Sequence, residues 1–147
     1  MAMTALDYEQ IRQLLARYNF AIDLGDPDGW AACFSTDGAF ECSGVPDSSP
    51  FGGRHEGTEK LQAYAAQHYS IAKGNARHWN WNLAIEGDGE TATMTCYMMA
   101  LSVGAAPAVQ GSTGIYRDRL AKTDGEWRFA ERHVTVDPPR KPREESH

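Results

Sequence analysis

The segment 76–85 has the clearest alternation of hydrophobic and polar residues in the chain. Its hydrophobic positions fall on one side of an extended backbone: Trp79, Trp81, Leu83 and Ile85. Its polar positions fall on the other side: His78, Asn80 and Asn82. Strict period-two alternation is typical of a β-strand with one apolar face. A polar face that carries a histidine indicates a strand lining a cavity.

Helical periodicity dominates the sequence before this strand. One apolar helical face predicts a first helix capped by Asp7 and ended near Gly25, with these face residues: Ile11, Leu14, Leu15, Tyr18 and Ile22. Asp26 followed by a proline predicts the start of a short second helix. A third helix is predicted over 58–73, with Gly74 ending it.

The remaining segments predict a sheet. A short strand at 39–42 leads into a Pro- and Gly-rich loop at 43–57, which could act as a lid or binding segment. Further strands are predicted at 76–86, 91–103, 110–120 and 127–136. Three helices and a run of mostly antiparallel strands predict an α+β fold. We expect a cone-shaped α+β barrel with three N-terminal helices packed on a strongly curved, mixed sheet.

Composition limits the class of protein. The 147 residues predict a single domain at 1–137, and the charged, Pro-rich segment 138–147 is expected to be a disordered tail. The net charge of −6 argues against nucleic-acid binding. No apolar run is long enough for a membrane span, and the first residues do not resemble a signal peptide, so a cytoplasmic location is expected. Three scattered cysteines are expected to be reduced thiols: Cys33, Cys42 and Cys96.

Four residues could carry chemistry in the cavity, and each also has a purely structural explanation. Asp23, near the end of the first helix, is either a solvated acid or a partner for an imidazole in the cavity. His78 is either a structural group or a catalyst. Arg132 shares a strand face with small apolar residues, so it forms either a structural ion pair or part of the pocket. Tyr18 is either core or a hydroxyl donor.

The expected pocket is hydrophobic and the size of a ring system. Its lining is predicted to include Trp30, Phe40, Tyr64, Met94, Met98 and Tyr116. Asn82 is a further candidate for binding substrate, and His55 could close over a ligand from the loop at 43–57. Histidine pairs and carboxylate clusters with metal-ligand spacing are missing from the sequence, and phosphate-binding loops are missing too. No metal and no cofactor is therefore expected.

Three groups of residues carry a resemblance to a known family: Tyr18-x4-Asp23-x-Gly25-Asp26-x3-Trp30-x3-Phe34-x2-Asp37-Gly38, then Arg77-His78 with Asn82, then Trp127-Arg128-x3-Arg132. In this order and spacing they resemble the SnoaL-like branch of the nuclear-transport-factor-2-like superfamily. The resemblance covers the chain from about Leu6 to Asp137.

That resemblance implies roles for particular residues. Scytalone dehydratase, bile-acid 7α-dehydratase and lindane dehydrochlorinase use a His–Asp pair in the cone, which implies that His78 is the catalytic histidine and that Asp23 orients it. Tyr18 matches the tyrosine of the bile-acid enzyme, and Arg132 matches a pocket arginine of the dehydrochlorinase. One departure is that the middle-strand segment 95–101 has no carboxylate where the bile-acid enzyme has one.

Three functions remain open on these grounds. The first is a cofactor-independent, dehydratase-like lyase acting on a hydrophobic cyclic substrate such as a polyketide, steroid or terpenoid. The second is a polyketide cyclase or ketosteroid-isomerase-like enzyme, and the third is a non-catalytic small-ligand-binding module. Trp79 and Trp81 are expected on the outer sheet face, which predicts a homodimer or homotrimer packed through the sheet.

Overall fold

Three helices pack on one six-stranded sheet in the computed structural model, which describes residues 2–104 and 106–139. The helices are α1 (Ala5–Leu24), α2 (Pro27–Ala32) and α3 (Thr58–Ala72). The strands are β1 (Phe34–Ser43), β2 (Gly53–Glu56), β3 (Ala76–Gly87), β4 (Thr91–Ser102), β5 (Val109–Thr123) and β6 (Glu126–Val136). The α+β class predicted from the sequence is confirmed.

The sheet is mixed and mostly antiparallel, as predicted. Its strand order is β2-β1-β6-β5-β4-β3, and β1 runs parallel to β6 while the other neighbours are antiparallel. Register shifts interrupt four of the five pairings, and such bulges bend a sheet. The sheet does not close, since β2 and β3 are its two edges, so the cone is open rather than a complete barrel.

The ends of α1 place Asp23. Thr4, rather than the predicted Asp7, is the N-cap, and Asp7 completes a reciprocal capping box from the third helical position. Gly25 ends the helix in the left-handed conformation with φ of 79°, as the sequence predicts. Asp23 therefore lies in the last turn of α1, where it is buried with 6% of its surface exposed.

Two strand predictions need correction. The strand predicted at 39–42 begins earlier, at Phe34, and the turn-like residues 35–38 form a register shift against β6. The segment 43–57, predicted to be entirely loop, contains β2, in which His55 pairs with Phe40 of β1. The start of β1 is hard to predict because residues 35–38 have the composition of a turn. The edge strand β2 is hard to predict because it is short, mostly exposed, and contains a glycine and charged residues.

The predicted alternation along β3 holds only in its first half. Trp79 and Trp81 are 49% and 43% exposed, and they alternate with His78 and Asn80 along the strand. A register shift then falls between Trp81 and Ala84, and Asn82 has a positive φ of 58°. This bulge changes which residues face inward, so that two residues predicted for the outer face pack against the core instead: Leu83 and Ile85. Asn82, predicted to face the cavity, is exposed.

The core lies between the helices and the inner face of the sheet. Its three cysteines, Cys33, Cys42 and Cys96, are buried and unpaired. Within the described ranges, no helix is both long and apolar enough to cross a membrane. Most of the predicted disordered tail lies outside the described residues, which end at Pro139.

Candidate active site

His78 and Asp23 form a directly hydrogen-bonded pair between β3 and α1. The Nδ1 atom of His78 lies 2.5 Å from Oδ1 of Asp23. The backbone N–H of His78 donates to the other carboxylate oxygen, Oδ2, at 2.9 Å. The side chains are 15% and 7% exposed, respectively. The two carboxylate oxygens of Asp23 thus bind the same residue, His78: one fixes its backbone N–H and the other fixes its ring.

This arrangement leaves one ring nitrogen of His78 available for chemistry. An ionised carboxylate accepts hydrogen bonds but cannot donate them, so the proton between the two side chains belongs to Nδ1. The neutral ring then has an unprotonated Nε2 that can accept a proton. A histidine oriented by a buried carboxylate is a general-base arrangement.

A groove between α1 and the edge strand β3 leads to this pair. Its volume is about 420 Å³, which falls within the ~300–1,000 Å³ usual for small-molecule sites. Its lining is mainly apolar and includes Ala16, Asn19, Phe20, Asp23, Leu24, Arg77, His78 and Trp79. Phe20 and Leu24 are 68% and 58% exposed. The groove therefore combines exposed apolar surface with the histidine–aspartate pair.

His68 on α3 is a second histidine at the site. Its ring centroid lies 5.3 Å from that of His78, and Phe51 packs on it at 5.2 Å. His68 is not among the residues that the sequence analysis put forward for the pocket. Burial lowers the pKa of His68 to about 4, and the neighbouring His78 lowers it further, whereas Asp23 opposes the shift. His68 is therefore a neutral ring at pH 7.

The stability of the protein should decrease in acid because of His68. Its pKa is about 4 in the folded protein, below the ordinary histidine pKa of 6.5, so the unfolded chain binds a proton first as the pH falls. The free energy of unfolding therefore decreases as the pH falls from 6.5 to 4, by about 2 kcal/mol at pH 5. Urea unfolding at pH 7 and pH 5 measures the loss, which His68→Gln should reduce and the control His55→Gln should not. An equal loss in wild type and His68→Gln would contradict this assignment.

Arg132 lies deeper in the cone, in a buried ion pair. Its Nε donates to Oδ1 of Asp118 at 3.0 Å, and both side chains are 0% exposed. The guanidinium stacks between the rings of Tyr116 at 3.6 Å and Tyr18 at 4.4 Å. Burial raises the pKa of Asp118 to about 6, although Arg132 opposes the shift. Arg132 and Tyr18 thus contact this ion pair and its aromatic surroundings rather than His78.

Asn80 connects the two regions. Its Oδ1 accepts from Nη2 and Nη1 of Arg132 at 3.4 and 3.5 Å, and from Nδ2 of Asn19 at 3.2 Å. Asn80 lies two residues after His78 in β3, so both side chains point to the inner face before the bulge. The site is therefore a series of contacts that runs from Asp118 through Arg132 to Asn80, beside the histidine–aspartate pair.

Several buried polar atoms on the inner side of the cone have no hydrogen-bond partner in the described part of the chain: Asn19 Oδ1, Trp30 Nε1, His68 Nδ1, Asn80 Nδ2 and Asp118 Oδ2. They come from three helices and two strands that enclose the cone. Each such group costs roughly 1–3 kcal/mol if left unpaired. Buried polar groups are normally satisfied by protein, water or ligand, so each of these atoms has an unused hydrogen-bonding capacity. Of these residues, Asn19 lines the groove.

The aromatic and sulfur-containing residues predicted to line the pocket form the core instead of the groove: Trp30, Phe40, Tyr64, Met94, Met98 and Tyr116. Tyr64 stacks on Trp30 at 5.6 Å and donates to the carbonyl of Phe51 at 3.1 Å. His55 packs on Tyr64 at 4.5 Å and does not contact His78. Among the described residues, no cluster of potential ligands could hold a metal ion.

Sequence reasoning missed Asp118 and the role of Asn80. Asp118 shares the buried parity of β5 with Tyr116 and Leu120, so an acid at an apolar position was the available signal. Asn80 was placed on the correct face, but nothing local in the sequence indicates that Arg132 holds it. These two residues are 52 positions apart in the sequence, and they meet because the curved sheet brings β6 and β3 together across the cone.

Comparisons with known proteins identify the fold. A model of the SnoaL-like domain matches residues 3–133. Among curated proteins, none matches this sequence with significance. Rv3472 of Mycobacterium tuberculosis, a protein of unknown function whose structure carries a D26N substitution, is 34% identical over 91% of this chain and 78% of its own, with a TM-score of 0.80.

Two further solved structures share the architecture. A cystatin-like-fold protein of unknown function from Nostoc punctiforme PCC 73102 is 28% identical over 94% of this chain and 96% of its own, with a TM-score of 0.79. A scytalone dehydratase-like protein from Novosphingobium aromaticivorans is 21% identical over 90% and 85%, with a TM-score of 0.72. At that identity, the last comparison concerns the fold alone.

Proposed function

Since the chain belongs to the SnoaL-like family, we propose that it is a cofactor-independent, dehydratase-like lyase that uses His78 and Asp23 as its general base. The observation that carries the proposal is the 2.5 Å contact between Nδ1 of His78 and Oδ1 of Asp23, at the end of an apolar groove. The contact joins residues 55 positions apart in the sequence. The resemblance to the SnoaL-like family, predicted from the sequence, is confirmed.

The proposed reaction begins with proton removal beside a carbonyl group. Nε2 of His78 takes the proton from that carbon, and Asp23 stabilises the resulting imidazolium through its hydrogen bond to Nδ1. The electron pair of the broken C–H bond moves into an enolate. Collapse of the enolate breaks the C–O bond on the adjacent carbon, and the leaving hydroxyl takes the proton back from Nε2 of the His78 imidazolium and departs as water, which restores the neutral ring. A positioned base of this kind contributes ~10²–10⁴-fold to the rate.

The substrate proposed is a hydrophobic cyclic molecule, of the polyketide, steroid or terpenoid kind. Phe20, Leu24 and Trp79 supply apolar surface along the groove. The polar contacts available there are few, as is usual in sites that bind ring systems.

One observation favours the alternative of an isomerase or cyclase. Arg132, which the resemblance assigns to the pocket, is fully buried against Asp118 and makes no contact with His78. A leaving group beside His78 would therefore lack this cation. The same base can form an enolate that is reprotonated elsewhere, or that attacks a second carbonyl, without expelling anything.

Product mass separates these reactions. The purified protein is incubated with a panel of hydroxylated cyclic ketones, and products are followed by mass spectrometry. Loss of one water identifies a dehydratase, while a new product of unchanged mass identifies an isomerase or cyclase. His78→Gln should abolish either product and the control His55→Gln should not. Unchanged turnover by His78→Gln would contradict the proposal.

The proposal includes a homodimer or homotrimer that packs through the outer face of the sheet. Trp79 and Trp81 are in edge-to-face contact at 5.4 Å, and Trp81 pairs with Tyr97, which is 53% exposed. Contiguous exposed aromatic residues are typical of interfaces. Light scattering should give an oligomer for wild type and a monomer for Trp81→Glu, and Leu6→Glu on α1 serves as the control. A monomeric wild type at micromolar concentration would contradict the prediction.

A further inference from the structure

The amide of Asn80 can adopt one orientation only. Its Oδ1 faces the guanidinium of Arg132, at 3.4 Å from Nη2 and 3.5 Å from Nη1. A guanidinium has five N–H donors and no acceptor, so the amide oxygen, not the amide nitrogen, must face Arg132. The amide of Asn19 follows from this, since its Nδ2 donates to the same oxygen at 3.2 Å.

The fixed orientation leaves the Asn80 amino group without a partner. Nδ2 of Asn80 is buried and makes no hydrogen bond among the described residues. The amide cannot rotate to satisfy it without turning Nδ2 toward the guanidinium. Arg132 itself is held by Asp118 and by the stacked rings of Tyr116 and Tyr18. An unpaired donor in a rigid surrounding is the arrangement that stabilises charge without reorganisation.

The position of this donor suits an enolate. His78 and Asn80 are adjacent inward-facing residues of β3, with Cα atoms about 7 Å apart. At that separation, a base at one position and a donor at the other suit a carbon that loses a proton and the oxygen of its neighbouring carbonyl group. Two polar residues that the sequence offered for the pocket lie elsewhere. Tyr18, a possible hydroxyl donor, stacks on Arg132, and Asn82, a candidate for binding substrate, is exposed at the bulge.

We propose that Asn80 is the hydrogen-bond donor to the developing enolate oxygen and that Arg132, held by Asp118, is the residue that positions it. The inference rests on the proposed function, in which His78 forms that enolate. When His78 takes the proton, negative charge moves to the carbonyl oxygen, and the Asn80 N–H shortens its hydrogen bond to that oxygen. Asn19 supports the same orientation from α1 through its bond to Asn80.

Asn80→Asp provides the test, because it keeps an oxygen toward Arg132 and replaces the free N–H donor with an oxygen that cannot donate. The substitution also adds a negative charge, which the control Asn82→Asp adds on the same strand without removing that donor. The probe is 2-naphthol, whose anion resembles an aromatic enolate and whose ionisation is visible by fluorescence. Wild type should bind the naphtholate at least tenfold more tightly than Asn80→Asp, whereas both should bind 2-methoxynaphthalene equally. Asn82→Asp, an exposed change on the same strand, should behave as wild type. Thermal unfolding of Asn80→Asp should be no earlier than that of wild type.

Turnover distinguishes this inference from the proposed function. On any ketone that is turned over, Asn80→Asp should lower kcat by ~10²–10³-fold with little change in KM. The assignment of Asn80 is overturned if Asn80→Asp binds naphtholate as wild type does, or if wild type shows no preference for naphtholate over 2-methoxynaphthalene. If His78→Gln abolishes turnover but Asn80→Asp leaves kcat unchanged, the role assigned to Asn80 is wrong while the proposed function stands. If His78→Gln has no effect on turnover, the proposed function fails and this inference fails with it.

Discussion

Replacing Arg132 with methionine is expected to lower the free energy of unfolding by about 3–5 kcal/mol. The substitution leaves the carboxylate of Asp118 buried without its cation, and both side chains are 0% exposed in the pair. An unpaired buried charge costs much more than a surface ion pair contributes. Equilibrium urea unfolding at pH 7 measures the change.

Two further variants test that explanation. Asp118→Asn combined with Arg132→Met removes both charges, so it should be less destabilised than the sum of the two single substitutions. Arg119→Met is the matched control, because Arg119 is 64% exposed in its pair with Glu131, and its loss should cost less than about 1 kcal/mol. A cost for Arg132→Met no larger than that for Arg119→Met would contradict the importance of burial.

Replacing Asp23 with asparagine is expected to lower the catalytic rate by ~10²–10⁴-fold while leaving the fold intact. If the amide oxygen keeps the bond to the His78 backbone N–H, its NH₂ group faces Nδ1. The ring then carries its proton on Nε2, so the base can no longer accept one. Turnover of any ketone converted by wild type measures the rate, and nitrogen NMR of His78 reports the tautomer without any substrate.

Asp28→Asn is the control for this substitution, since Asp28 is exposed and does not contact His78. It should leave both the rate and the tautomer unchanged. An Asp23→Asn variant with the wild-type rate would show that the pair is structural. A variant with the wild-type tautomer would show that the hydrogen bond does not select the proton position.

The sequence predicts the order of the helices and the main strands well because those elements are local. The apolar spacing of α1, its glycine stop and the alternation at the start of β3 depend on residues close together in the chain. The pairing of His78 with Asp23 came from a family resemblance, and the structure brings these two residues into contact. Helical periodicity and capping signals alone would have predicted that Asp23 is a solvated acid.

The missed features depend on contacts between distant elements. The bulge at Asn82 changes the inward face of β3, and no local pattern requires it. The ion pair of Asp118 and Arg132 forms across neighbouring strands, and the bond from Arg132 to Asn80 crosses the cone. Such contacts are set by the curvature of the sheet, so no local pattern in the sequence pairs these residues.

The most direct test of the account is hydrogen exchange at the carbon beside a carbonyl. Wild type and His78→Gln are incubated with the same panel of cyclic ketones in deuterated water, and deuterium uptake is measured by mass spectrometry. This readout follows proton removal itself, so it does not depend on whether elimination, isomerisation or cyclisation comes next. We expect deuterium uptake with wild type and only the buffer rate of exchange with His78→Gln. Equal uptake by the two proteins would contradict the claim that His78 is the general base.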